Sequence, residues 1–305
     1  MTLSVAMVAE LACFIEVICP KPGNIGPGKP YGQINEMSLL VSAMGFSEAF
    51  RDAEAPLGRV VTRAAQASKN LVGRETSRGT ILLLSPLVKA AHEIRKKKGH
   101  LLAPRASDFR AAAGDILSDI KDWDASSILD IFRSAQTTPG GSENSGSDGM
   151  DDGLPLAESM KGAMSGDSVA REYATGYEIT FGITVPCLET LWNKGHALKR
   201  SIQQTALVLL SEVPDTEIAR HFGEDESIGA SEMAGRAVMS GGYFSAEGRR
   251  VIKALRAHLE DPEKPMPPTA TADLTAAGVF VFLERTLSAT PLSKLLERWD
   301  YMEEG

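Results

Sequence analysis

Long apolar runs are what this 305-residue chain most clearly lacks. No stretch approaches the roughly 18 uninterrupted apolar residues that a membrane-spanning helix requires, so no membrane partner is expected. Cysteine is scarce: Cys13, Cys19 and Cys187 are an odd number without metal-ligand spacing, and Cys13 and Cys19 fall on different helical faces. That usage predicts reduced thiols and a cytoplasmic protein. The opening residues carry no basic cluster, and Glu10 and Glu16 interrupt the apolar stretch that follows, so a signal peptide is not expected. Positive charge is in deficit, 32 Lys and Arg against 40 Asp and Glu, with a net charge of −8. This argues against a nucleic-acid partner, although a local basic pocket can survive in an acidic chain. The histidines, His92, His100, His196, His221 and His258, are scattered and form no metal-binding pattern. Also missing are the phosphate-binding GxxxxGK[ST], the dinucleotide GxGxxG, the zinc motif HExxH and the GxSxG of serine hydrolases. No alternating β-branched run stands out.

What remains is helical periodicity almost throughout. Val5, Val8, Ala9, Ala12, Cys13 and Ile15 recur at helical spacing until Pro20 stops the run. Residues 34–53, 57–72, 106–120 and 126–136 read as amphipathic helices, the last two capped by Ser107 and Ser126. The run Ile81 to Val88 is apolar all round, which predicts a central, buried helix ending in the solvated turn Arg95 to Lys98 with Gly99 as cap. Helices resume at 157, with predicted segments 166–185, 198–211, 215–222, 228–239, 245–259, 270–288 and 291–300. Between them, Thr137 to Gly153 is rich in glycine and acids and reads as a flexible loop. The expectation is an all-α fold, a single multi-helix globular domain over 1–305, whose amphipathic faces allow a homodimer.

The chemistry-bearing residues sit at element boundaries. Cys19 to Gly28 packs three prolines and three glycines around Lys21 and Asn24. It is either an ordinary connection or a stiff loop aimed at an anion. Glu75-Thr76-Ser77-Arg78-Gly79 precedes the buried apolar helix, and Asp151-Asp152 closes the acidic loop. Asp167, Arg171 and Tyr173 share one helix, and Asp167 and Arg171 at i, i+4 lie on one face, where a simple surface pair is the plain reading. Asp215 follows Pro214 and Asp273 opens another helix, positions where a carboxylate does no more than stabilise the helix start.

The order of these landmarks resembles the triphosphoribosyl-dephospho-CoA synthases, which make the prosthetic-group precursor of citrate lyase and malonate decarboxylase. The resemblance spans nearly the whole chain. Ala12-Cys13-Phe14-Ile15-Glu16 leading to Pro20-Lys21-Pro22-Gly23-Asn24 is similar to the family's A-C-L-x-E and P-K-P-G-N. Gly79 to Leu87 resembles G-x-x-L-L-L-A-P-L, and Pro139-Gly140-Gly141 precedes acids as in the family. Asp167 to Tyr177 resembles D-x-x-A-R-x-Y-x-x-G-[FY], Pro214 to Arg220 resembles P-D-[ST]-x-I-A-R, and Thr271-Ala272-Asp273-Leu274 resembles T-A-D-L. Departures are Glu75, Ser77 and Arg78 in place of two asparagines and a leucine, and His221 in place of a lysine.

The resemblance implies an all-α transferase that moves the triphosphoribosyl group of ATP to 3′-dephospho-CoA with loss of adenine. It implies small-molecule nucleotide substrates and Mg²⁺ carried with ATP. Lys21, Arg78 and Arg220 are expected to hold the triphosphate, and Asp151 and Asp152 to help hold metal. Glu16, Asp215 and Asp273 are the candidates for the catalytic base and for the carboxylate facing the sugar cation. Asn24, Thr76, Gly79, Arg171 and Tyr173 complete the expected binding set. The altered positions leave two alternatives, a divergent paralogue transferring a ribosyl phosphate in another cofactor pathway and a non-catalytic nucleotide-binding helical protein.

Overall fold

Ser4 opens helix α1 (Val5–Ile18) by accepting a hydrogen bond from the Met7 amide at 3.2 Å. Cys19, forced to extended geometry by the proline that follows, closes it. A computed structural model describes residues 3–98, 103–136 and 155–300. Among these residues there are fifteen α-helices and no β-strand, so the fold is all-α. After α1 come α2 (Glu36–Ala49), α3 (Leu57–Val72), α4 (Arg78–Lys98), α5 (Ala106–Ser118) and α6 (Asp122–Gln136). The second half holds α7 (Leu156–Ala163), α8 (Ser168–Thr175), α9 (Val185–Asn193), α10 (Leu198–Glu212) and α11 (Thr216–Phe222). It ends with α12 (Glu224–Met239), α13 (Ala246–Leu259), α14 (Thr269–Leu287) and α15 (Leu292–Glu297). The acidic loop expected over 137–153 lies outside the described residues.

Helices α4 and α14 form the axis of the main core. Ile81, Leu82, Leu83, Leu84 and Leu87 are wholly buried, and so are Val279, Phe280, Val281 and Leu283. Apolar residues on every face leave such helices no stable place at the surface. A smaller core joins Leu207 and Leu210 of α10 to Ile218, Ala230, Ala234 and Leu255 of α11, α12 and α13.

Pro86 sits inside α4 and has no N–H to offer the carbonyl one turn back. The Tyr173 hydroxyl donates to that Leu82 carbonyl at 2.8 Å, and Tyr177 donates to the Leu83 carbonyl at 2.7 Å. Tyr173 therefore repairs a helix instead of meeting a ligand. Tyr173→Phe should cost about 1–3 kcal/mol, the penalty of an orphaned buried acceptor, on urea denaturation. Activity per folded molecule should stay unchanged.

Several local expectations give way to tertiary contacts. The helix expected over 166–185 is divided, because Gly176 and Tyr177 both adopt left-handed φ values of 62°. The buried Glu172 carboxylate accepts the Ile179 amide at 2.7 Å and the Thr180 amide at 3.2 Å, restarting the chain as a π-helical segment, Thr180–Thr184. Burial pushes this carboxyl up to about 7. Ser107 and Ser126 lie inside helices, and α5 is instead opened by Asp108 accepting the Arg105 amide at 2.9 Å. Arg95 is no solvated helix end. Its guanidinium forks onto the buried Glu284 at 2.9 and 2.7 Å, tying α4 to α14. Gly99 falls outside the described residues.

Candidate active site

The first turns of α4, α8, α11 and α14 meet the end of α1 and one face of α2 around a cavity of about 240 Å³. The positive ends of four helix dipoles converge there, the first amides of α8 and α11 being taken by capping aspartates. Two aspartates hold this convergence together. Asp167 caps α8, accepting the Val169 and Ala170 amides at 2.8 and 3.0 Å. Asp215 caps α11 through one oxygen at 3.0 and 3.1 Å, while the other accepts the amide and hydroxyl of Thr271 in α14 at 2.7 and 2.8 Å.

Five carboxylates, Glu16, Glu75, Asp167, Glu217 and Asp273, line the cavity beside one guanidinium, that of Arg78. Four of them have cationic neighbours. Glu16 Oε1 meets Lys21 Nζ at 2.9 Å and Glu75 meets Arg78 at 2.7 Å. The buried Arg220 is clamped between Asp167, at 2.5 Å, and Glu217. Asp273 forms no ion pair among the described residues and is approached by the Thr80 hydroxyl. Burial, with the negative fields of Glu16, Glu217 and Asp215, pushes its carboxyl up to about 8, so it carries its proton at neutral pH. Burial acts to raise Glu217 as well. There the hydrogen bond from His221 and the charge of Arg220 prevail and hold it below the ordinary glutamate value. Two acids on one cavity are thus held in opposite protonation states.

Backbone completes the geometry. A Cβ on Gly79 would overlap Asp273 Oδ2, so only glycine lets the start of α4 lie against this carboxyl. Ser77, just before α4, has a left-handed φ of 55°.

The structure brings Glu16, Asn24, Thr76, Arg78, Gly79 and Asp273 to the cavity wall. Asn24 Nδ2 lies 3.4 Å from Glu16 Oε1. Other expected residues lie elsewhere. Lys21 is buried and spends all three donors locally, on the Glu16 carbonyl at 2.6 Å, the Cys19 carbonyl at 2.9 Å and the Glu16 carboxylate. Asp215 has both oxygens filled by four helix-start donors and does not border the cavity. Arg220 stands behind the wall in its clamp. Arg171 is near the surface and pairs with Glu178 at 3.2 Å, while Asp167 faces Arg220, so the expected Asp167–Arg171 pair is absent. Asp151 and Asp152 lie outside the described residues. Glu217, a lining carboxylate, was not singled out by sequence reasoning. In the first turn of a helix it reads as an acid placed to suit the dipole, and only the cavity distinguishes it.

A family model described as CitG, ATP:dephospho-CoA triphosphoribosyl transferase, matches residues 2–291. This chain belongs to that family. It is a transferase, and its reaction is triphosphoribosyl transfer from ATP to dephospho-CoA. A crystal structure of a candidate triphosphoribosyl-dephospho-CoA synthase from Archaeoglobus fulgidus is similar, with 26% identity and a TM-score of 0.59. The match covers 81% of this chain and 98% of the archaeal one. No curated protein gives a significant match. Five of the six sequence segments shared with the transferases contribute to the cavity wall: the end of α1 with its proline loop, and the starts of α4, α8, α11 and α14. The sixth, Pro139-Gly140-Gly141, is outside the described residues. No helix among those residues is long and apolar enough to cross a membrane.

Proposed function

We propose that ATP binds with its triphosphate against the start of α4 beside Arg78 and its ribose against Asp273 and Glu16. The observation that carries this reading is the placement of Asp273, uncompensated by any cation among the described residues, directly beneath Gly79 in a ring of helix N-termini. Helix starts favour phosphate oxygens, and Arg78 adds a half-buried guanidinium whose pKa burial lowers.

The reaction breaks the bond between C1′ and the adenine nitrogen and forms one between C1′ and an acceptor hydroxyl oxygen. Adenine departs with the bonding electron pair and needs a proton, while the acceptor hydroxyl must lose one. Asp273, neutral at pH 7, supplies the first. Glu16 has one oxygen turned to Lys21 and Asn24, and its other oxygen has no partner among the described residues. Its negative charge stabilises the cationic sugar carbon, and the free oxygen takes the acceptor's proton. The pair works as the acid and base of the glycosyl transfer.

Besides the neutral Asp273, four carboxylates on the wall supply the oxygen ligands that suit a hard cation. Among the described residues, no three acidic, histidine or cysteine side chains cluster closely enough to hold a metal unaided. Magnesium would come with the substrate, on its phosphates, and Glu75 and Glu217, which line the cavity with Arg78, are the carboxylates that would face it. It supplies charge neutralisation there.

Incubation with ATP, Mg²⁺ and dephospho-CoA should release adenine in equal amount to a triphosphoribosylated acceptor identified by mass. Intact ATP in the presence of folded, ATP-binding protein would move the assignment to another acceptor. ATP that neither reacts nor binds would leave a helical scaffold without this catalysis.

A further inference from the structure

One wall of the cavity is built from a chain of hydroxyl groups. Thr76 Oγ1 lies 3.2 Å from Ser68 Oγ, Ser68 Oγ lies 2.6 Å from Ser42 Oγ, and Ser42 Oγ lies 3.1 Å from Ser77 Oγ. Ser42 of α2 and Ser68 of α3 are fully buried, and Thr76 is 6% exposed. The two terminal members, Thr76 and Ser77, both line the cavity, whereas the two middle ones do not. Ser77 is held there at its left-handed φ of 55°, a conformation that costs a serine about 1 kcal/mol or more and needs a compensating contact.

Proton counting decides what this chain can offer. Each hydroxyl donates once, so four protons serve three internal links and one remains. Ser42 donates to Ser77, so Ser68 donates to Ser42 and Thr76 to Ser68, and the run of donors ends with the Ser77 O–H free and the Thr76 oxygen open to a donor. Both ends cannot donate outward together, because Ser42 and Ser68 would then have to serve three links with two protons. The cavity therefore receives one donor at one end and an oxygen with open lone pairs at the other. A phosphate group accepts only and matches one end at most. A sugar hydroxyl pair, which accepts once and donates once, matches both.

We propose that this hydroxyl chain reads the ribose of the bound nucleotide, giving one hydrogen bond to a ribose hydroxyl oxygen and taking one from a ribose O–H. The assignment rests on ATP occupying this cavity. Ser77 immediately precedes Arg78 and Gly79 and lines the same cavity as Asp273, the carboxyl against which the sugar is placed.

Calorimetric titration of ATP, 2′-deoxyATP and 3′-deoxyATP tests it. Binding is the readout because deleting the 2′-hydroxyl alters the reactivity of C1′ itself. The wild type should bind at least one deoxy analogue about tenfold more weakly than ATP, the size of one lost hydrogen bond. Ser77→Gly, which also relieves the backbone strain and so should fold, is expected to bind ATP and that analogue equally. Ser42→Ala touches no ligand, yet it cuts the chain and should reduce the discrimination as well, with the melting temperature reporting folding. Wild-type protein that binds ATP and both analogues alike overturns the ribose assignment and leaves the nucleotide site standing. The ribose assignment falls equally if both variants keep full discrimination, or if they lose selectivity for ATP over ITP instead, which would place the adenine edge here. Failure of the wild type to bind ATP at all removes the underlying reading together with this one.

Discussion

Asp273→Asn should reduce adenine release by about 10²- to 10⁴-fold, the usual contribution of a positioned proton donor, while making the ligand-free protein more resistant to heat at alkaline pH. The gain in heat resistance follows from the raised pKa. A carboxyl moved from 3.8 in the ordinary state to about 8 in the fold favours folding in its neutral form. That contribution is complete below pH 4 or so and is lost as the pH rises to about 8, where the native state must also carry the buried charge. Asparagine keeps the oxygen that Thr80 approaches and never ionises. Melting curves of wild type and variant should therefore coincide near pH 4 and separate in favour of the variant toward pH 8. A variant melting below the wild type at pH 8 would show that Asp273 is a structural carboxylate and not an acid held in readiness.

The second large effect belongs to a residue with no side chain. Gly79→Ala should bring turnover below detection and weaken the fold by about 1–3 kcal/mol, the range for an overpacked site. The added methyl would overlap Asp273 Oδ2, so either α4 or the carboxyl must move, and both carry the proposed chemistry. Gly114→Ala in α5 is the matching control, since a Cβ there meets nothing within 4 Å. That change should stabilise the protein by about 0.5–1 kcal/mol through helix propensity, with activity untouched. Denaturant titrations and adenine assays on the two variants separate a local clash from a general dislike of alanine.

Neighbouring residues were informative about elements and much less so about roles. Helix α3 begins and ends where its periodicity places it, because Pro56 and Gly73 are strong local stops. The division at Gly176 was invisible, since it depends on Glu172 reaching past a turn to the Ile179 and Thr180 amides. Lys21 and Tyr173 looked like ligand-facing residues because their groups are polar and lie at boundaries. Burial turned both inward, the ammonium onto two carbonyls and a carboxylate, the phenol onto the carbonyl that Pro86 left open.

Periodicity and the order of short motifs were enough to establish an all-helical chain of the triphosphoribosyl transferase family, because both are local properties written in neighbouring residues. Which charged groups are free to act was settled by the packing of helices against one another. Asp215 caps α11 and Asp273 lies one turn into α14 instead of opening it, and one is filled by four hydrogen bonds while the other stands beside a glycine with no cation among the described residues. Their difference comes from partners contributed by other helices, from residues as much as 193 positions away, and from the withdrawal of water. A sequence pattern records neither of these.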